Sequence, residues 1–131
     1  CGIKTDGALL CWGRNAENEL ANGTTTSSAT PVPILPGQKW KVVRTTSFHV
    51  CGVQEDGTLW CWGRNQSAQI QKGAPGRVTE PLKIDGATDW VDVAPGQAHT
   101  CGLKADQRVY CWGSRVFGQT GEGQPSLPAT P

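Results

Sequence analysis

The sequence predicts an all-β protein assembled from repeats about fifty residues long. Three observations predict it. The stretch CGVQEDGTLWCWGRN at residues 51–65 recurs as CGIKTDGALLCWGRN at 1–15 and as CGLKADQRVYCWGSR at 101–115. Only 18% of the chain is charged, against 17 Gly and 9 Pro, a composition that suits turns and short strands better than helices. Landmarks outside these stretches keep the same interval: Trp40 with Trp90, His49 with His99, Gly23 with Gly73 and Gly123, Pro31 with Pro81 and Pro131. A fixed period of this length marks stacked or radially arranged units.

The hairpin comes first in each unit. Asp-Gly between two half-apolar runs is a hairpin signal. In the middle copy a loop of Glu55, Asp56 and Gly57 puts Gly57 in the left-handed region, which costs glycine little. Counting outward, Val53 then faces Leu59, Gly52 faces Trp60 and Cys51 faces Cys61. Alternation makes the cysteines a non-hydrogen-bonded pair, whose Cα atoms lie about 4.5 Å apart. That separation is inside the range of about 4.4–6.8 Å that a disulfide tolerates. The pattern therefore predicts the bonds Cys1–Cys11, Cys51–Cys61 and Cys101–Cys111. A zinc site would want cysteines closer in sequence or a His pair, and a redox site a C-x-x-C. Free buried thiols are the remaining alternative. In the third copy Gln107 stands where the others have glycine, so this hairpin is expected to be the least regular.

Two further strand segments complete each unit. Pro31-Val32-Pro33-Ile34 and Pro81-Leu82-Lys83-Ile84 read as strands headed by proline, acceptable there or on an edge. Trp40-Lys41-Val42-Val43 and Trp90-Val91-Asp92-Val93 read as the strands before each hairpin, whose own strands run near 98–103 and 108–113 in the third copy. Four strands per fifty residues fit a β-propeller blade of antiparallel strands, with about two and a half blades present. Residues 15–30 carry no period and are expected to form a surface loop. Asn22-Gly23-Thr24 and Asn65-Gln66-Ser67 match the glycosylation sequon.

Charge and length exclude several classes. Formal charge is +1 with no basic run, so electrostatic binding of nucleic acid or anionic membrane is not indicated. No apolar run approaches the ~20 residues of a membrane-spanning helix. Six pairable cysteines imply an oxidising compartment, hence an extracellular, cell-surface or periplasmic address. The chain starts inside a repeat, so its natural start is expected upstream or to have been processed away.

These residues resemble the RCC1 repeat, named after the regulator of chromosome condensation. Its pattern has a Trp-x-x-Val strand, a Gly-x-x-His turn, a D-G hairpin ending in Trp-Gly, an N-x-x-G-Q-L-G-x-G segment and a proline-led strand. Here the third unit carries Trp90, Val93, Gly96, His99, Asp106, Trp112, Gly118, Gln119 and Gly121. The second carries Trp40, Val43, His49, Asp56, Gly57, Trp62 and Asn65. Departures fall in the G-Q-L-G segment, where residues 18–21 read Asn-Glu-Leu-Ala and 68–71 Ala-Gln-Ile-Gln. The C-x(9)-C-W-G repeats look like secreted or surface-displayed versions of the family. The resemblance implies an incomplete propeller, as a fragment or as a subunit completed by neighbouring copies.

Candidate residues divide into repeated and variable ones. His49 and His99 occupy equivalent places, as structural residues do, and Asp6, Asp56 and Asp106 read as turn caps. Trp12, Trp62 and Trp112 are expected between blades. Among variable positions, Trp60 and Tyr110 share a place with Leu10, while Arg14, Arg64 and Arg115 lie just past the hairpins; an aromatic beside an arginine is common at interfaces. No nucleophile–base pair, phosphate loop or metal set stands out, and no cofactor is expected. The expected role is a non-enzymatic scaffold that binds another protein. The alternatives are a piece that completes blades with other chains, or an inhibitor of a secreted enzyme. Nucleotide exchange, the work of the family's namesake, is intracellular and fits paired cysteines poorly.

Overall fold

A computed structural model describes residues 1–121 of the chain. It is all-β, with ten strands in three antiparallel sheets. The first sheet holds β1 (Gly2–Ile3), β2 (Leu9–Gly13) and β3 (Ser28–Ile34). The second holds β4 (Trp40–Thr45), β5 (His49–Gln54), β6 (Leu59–Arg64) and β7 (Arg77–Lys83) in that order. The third holds β8 (Trp90–Pro95), β9 (His99–Lys104) and β10 (Val109–Gly113). The middle sheet is thus a full four-stranded propeller blade between two three-stranded ones.

The hairpin register follows the expectation residue by residue. Cys51 faces Cys61, Gly52 faces Trp60 and Val53 faces Leu59. Gln54 donates its N–H to Thr58 at 3.0 Å, and Gly57 at φ 79° donates to the Gln54 carbonyl. Disulfides join Cys1 to Cys11, Cys51 to Cys61 and Cys101 to Cys111, with Cα separations of 4.0, 4.1 and 4.0 Å. The strands are therefore drawn a little closer than the sequence reading supposed. Each bond closes a loop of about eleven residues, so replacing Cys51 and Cys61 together by alanine is expected to cost about 2–3 kcal/mol. Urea unfolding followed by tryptophan fluorescence measures that loss.

Three expectations need correction. The third hairpin is not the least regular. Gln107 takes the left-handed conformation at φ 69°, its N–H reaches the Lys104 carbonyl, and Cys101 faces Cys111 in the same register. The proline strands do not start at proline either: β3 begins at Ser28 and β7 at Arg77. They lie at the edges of their sheets, where a proline forfeits no ladder bond. Nor does the segment after each hairpin lie wholly on the surface. Asn15 is fully buried, and its Nδ2 donates to the carbonyls of Thr24 and Thr26 while its Oδ1 accepts the Leu20 N–H. Asn65 does the same with the carbonyls of Gln71, Ala74 and Pro75 and the N–H of Ile70. One buried amide thus folds each loop around itself. Gly123 and Pro131 lie outside the described residues.

Packing between blades repeats as well. The indole of Trp62 donates to the Glu19 carbonyl in the preceding loop at 2.7 Å, and Trp112 to that of Ile70 at 2.9 Å. Both rings are buried, and each meets the tryptophan that opens its own blade edge-on: Trp40 at 6.0 Å for Trp62, Trp90 at 6.2 Å for Trp112. Hairpin tips hold the next blade's entry, since the Trp40 and Trp90 N–H groups bond to the carbonyls of Gly7 and Gly57. Strand β5, covered on both faces, is buried throughout; β9, covered on one, is not. Trp12, expected between blades, departs from its buried copies at 49% exposed.

Candidate functional site

The turn between β4 and β5 is built on Thr46, whose Oγ1 accepts the N–H groups of Phe48 and His49. This turn lifts Phe48 to the rim where β2 and β6 end. Arg14 follows β2 and Arg64 closes β6. The Arg64 guanidinium carbon lies 5.0 Å from the Phe48 ring centroid and that of Arg14 lies 5.9 Å away. Cations at such distances are drawn to the ring face. The Arg64 N–H also bonds to the Phe48 carbonyl, and Arg14 Nη1 donates to that of Ser47 at 2.9 Å. Two arginines from successive blades therefore meet over one aromatic ring. A groove of about 320 Å³ opens beside it, lined by Trp12, Arg14, Glu19 and residues 45–47.

Of the predicted residues, the structure brings Arg14 and Arg64 together and leaves the others elsewhere. Trp60 donates its indole N–H to Thr58 Oγ1 at 2.8 Å, beside its own hairpin turn. Tyr110 packs edge-on against Trp90 at 5.8 Å, under the ammonium of Lys104. Both therefore pack within their own blades. Arg115 makes contacts of its own, while Arg14 and Arg64 lie over Phe48. The aromatic partner, Phe48, was missed. Its position holds alanine fifty residues on, and that variation beside the repeated histidine was the available signal.

The repeated polar residues are held in local hydrogen bonds. Asp6, Asp56 and Asp106 each accept the N–H two residues ahead at 3.0 Å. The Thr58 hydroxyl and N–H hold the Asp56 carboxyl below its ordinary pKa. His49 is fully buried, and its Nε2 lies 2.8 Å from Thr100 Oγ1, whose own proton goes to the Gln69 carbonyl. Nε2 must then carry the ring proton. His99 is half-buried, and its carbonyl takes the Gly96 N–H at 2.8 Å. Of the two sequons, Asn65 has its amide spent on three carbonyls and is buried, while Asn22 is exposed. Among the described residues no group of three His, Cys, Asp or Glu could hold a metal ion, and no helix is long and apolar enough to cross a membrane.

Stapled antiparallel sheets of three or four strands, with Trp62 and Trp112 each lodged in the loop of the blade before, define a segment of a disulfide-bonded β-propeller. The chain belongs to the regulator of chromosome condensation (RCC1) repeat family, whose profiles match residues 6–53, 43–69 and 90–119. No curated protein sequence matches it. Among solved structures it is similar to human WBSCR16, at 20% identity over 85% of this chain and 29% of that one, with a TM-score of 0.77. It is also similar to Prp20p from Saccharomyces cerevisiae, in a structure described with its binding properties to Gsp1p and histones, at 20% identity over 90% and 31% and a TM-score of 0.72. Yeast RCC1 (Prp20) bound to Kap60 gives 22% identity over 98% and 32%, with a TM-score of 0.77. These likenesses show the fold. The chain spans about a third of the length of each.

Proposed function

We propose that this chain is a non-enzymatic segment of a β-propeller that binds another protein through its loop rim and works in an oxidising compartment. The observation that carries the reading is the convergence of Arg14 and Arg64 on Phe48, an arginine–aromatic cluster on the part of a propeller that faces outward. Family membership supports it, since two of the similar structures are described with protein partners. The three disulfides support the compartment. A photo-crosslinking amino acid at position 48, in protein made in its native host, is expected to trap discrete partners. Arg14→Ala/Arg64→Ala should thin those adducts at least severalfold. Adducts unchanged by the double variant, or a turnover abolished by His49→Ala or His99→Ala, would overturn the reading. Protein from that source should gain six hydrogens on reduction; no gain would remove the oxidising address.

A second reading, assembly through the end blades, has its own observation. Val109 is 64% exposed although its copies Leu9 and Leu59 are 2% and 1% exposed. Sedimentation decides it: a monomer of 13.9 kDa at every concentration tested rules assembly out.

A further inference from the structure

We propose that the Arg14–Phe48–Arg64 rim is a docking site for an acidic peptide segment, the carboxylates of a partner's Asp and Glu side chains seating on the two guanidinium groups. The inference rests on the protein-binding reading and names the chemistry of the partner.

A guanidinium carries five N–H groups and can be satisfied only by acceptors. Arg64 makes no side-chain hydrogen bond and no ion pair among the described residues, and its guanidinium lies over the Phe48 ring. Arg14 gives a single N–H to the Ser47 carbonyl and forms a long ion pair with Glu19 at 3.8 Å, which leaves donors of its fork free. The other oxygen of Glu19 accepts the Glu17 N–H at 2.7 Å, and its side chain is 9% exposed, so it is committed within the rim. Glu17 is taken by Arg77 at 3.1 Å. The rim therefore holds two positive charges and one committed negative charge.

Geometry then favours carboxylates. The Phe48 ring holds both guanidinium planes in place, which lowers the ordering cost of binding. Arginine forks match carboxylates with paired N–H···O bonds, roughly twice as strong as neutral ones. Two like charges gathered at one ring repel, and a polyanionic segment relieves that repulsion. Phe48 adds an apolar floor for the methylenes of a glutamate. A neutral or basic segment gains neither the charged forks nor the relief of repulsion.

The test is fluorescence anisotropy with a labelled octa-glutamate peptide, an octa-glutamine peptide as control and a sulfated heparin fragment as rival polyanion. The wild-type chain is expected to bind octa-glutamate at least tenfold more tightly than octa-glutamine. That binding should weaken about tenfold when salt rises from about 0.05 to 0.3 M. Arg14→Ala/Arg64→Ala should lose about tenfold or more, and Arg14→Lys/Arg64→Lys should restore only part of it, because charge returns without the fork. Far-UV circular dichroism checks that each variant keeps its sheets. Equal affinity for the two peptides, a double alanine variant that binds like wild type, full rescue by lysine, or binding of heparin alone would each overturn the proposal. If the crosslinker at position 48 traps a partner whose contacted segment is uncharged, the protein-binding reading stands and only this inference fails.

Discussion

Replacing Gly57 by alanine is expected to cost about 3–4 kcal/mol, more than any other single change at a hairpin tip. Two terms add. Residue 57 sits at φ 79°, where a Cβ costs roughly 1–2 kcal/mol. That Cβ would also stand 1.9 Å from the Thr88 carbonyl oxygen, and backbone cannot swing aside as a long side chain can. Relieving the collision pulls the tip away from the next blade and strains the bond from the Trp90 N–H to the Gly57 carbonyl, an overpacking cost of roughly 1–3 kcal/mol. Two variants separate the terms. Gly73 has φ 85° and nothing within 4 Å of a built Cβ, so Gly73→Ala should cost only the conformational part, about 1–2 kcal/mol. Gln107→Gly should stabilise by about 1 kcal/mol, since it removes the same strain. Urea midpoints of the three variants measure all of this. A Gly57→Ala loss no greater than that of Gly73→Ala would mean that the tip-to-blade seam yields freely.

The same tip shows what the sequence could and could not convey. The hairpin register was legible because cysteine pairing, turn length and period two all count along one strand. The blade order was legible because a fifty-residue interval repeats. The glutamine at 107 was misread, because a turn's tolerance for a side chain depends on what presses on it. At Gly57 a built Cβ would stand 1.9 Å from the Thr88 carbonyl oxygen, a closeness no local pattern reports.

Elements that depend on contacts across blades were out of reach. Residues 15–30 read as a polar loop, yet Asn15 and Leu20 are buried because the loop closes on one amide and then receives Trp62. Exposure of Trp12 beside its buried copies depends on a neighbour, which no local pattern reports. At the rim, Arg14 and Arg64 were marked by period, but Phe48 lies in a different segment and joins them only through the β4–β5 turn. The sequence reading paired the arginines with Trp60 and Tyr110, which are close along the chain and point into their own blades. Trp40 Nε1 is similar in kind: it is buried without a partner, while its copy Trp90 donates to Asp85. The residue matching Asp85 is Leu35, a difference visible in the sequence but without meaning until the indole is placed.

Acid should weaken this fold well before its carboxylates are protonated, and His49 is the reason. Burial, with a smaller push from the charge of His99, lowers its pKa from 6.5 to about 4. In the unfolded chain the ring regains its ordinary affinity for the proton, so protonation favours unfolding. Stability is therefore full above about pH 6.5, falls as pH drops through the interval between the two values, and levels off below about pH 4. At 1.36 kcal/mol per unit the whole interval is worth roughly 3 kcal/mol, with about 2 kcal/mol lost by pH 5. The structural counterpart is the chain from His49 Nε2 through Thr100 Oγ1 to the Gln69 carbonyl, which ties the second blade to the third. The neutral ring already uses its one proton on Thr100, and Nδ1 faces the Thr46 hydroxyl at 3.4 Å. A second proton at Nδ1 would therefore sit buried with no carboxylate to meet it. His49→Gln keeps a donor for Thr100 and removes the titration. Its unfolding free energy should be lower than wild type at pH 7.5 yet nearly flat from pH 7.5 to 5, where the wild-type value declines by about 2 kcal/mol. A wild-type curve as flat as that of the variant would show that the buried ring opens to water at no cost, and the blade contact it anchors would then be loose at neutral pH too.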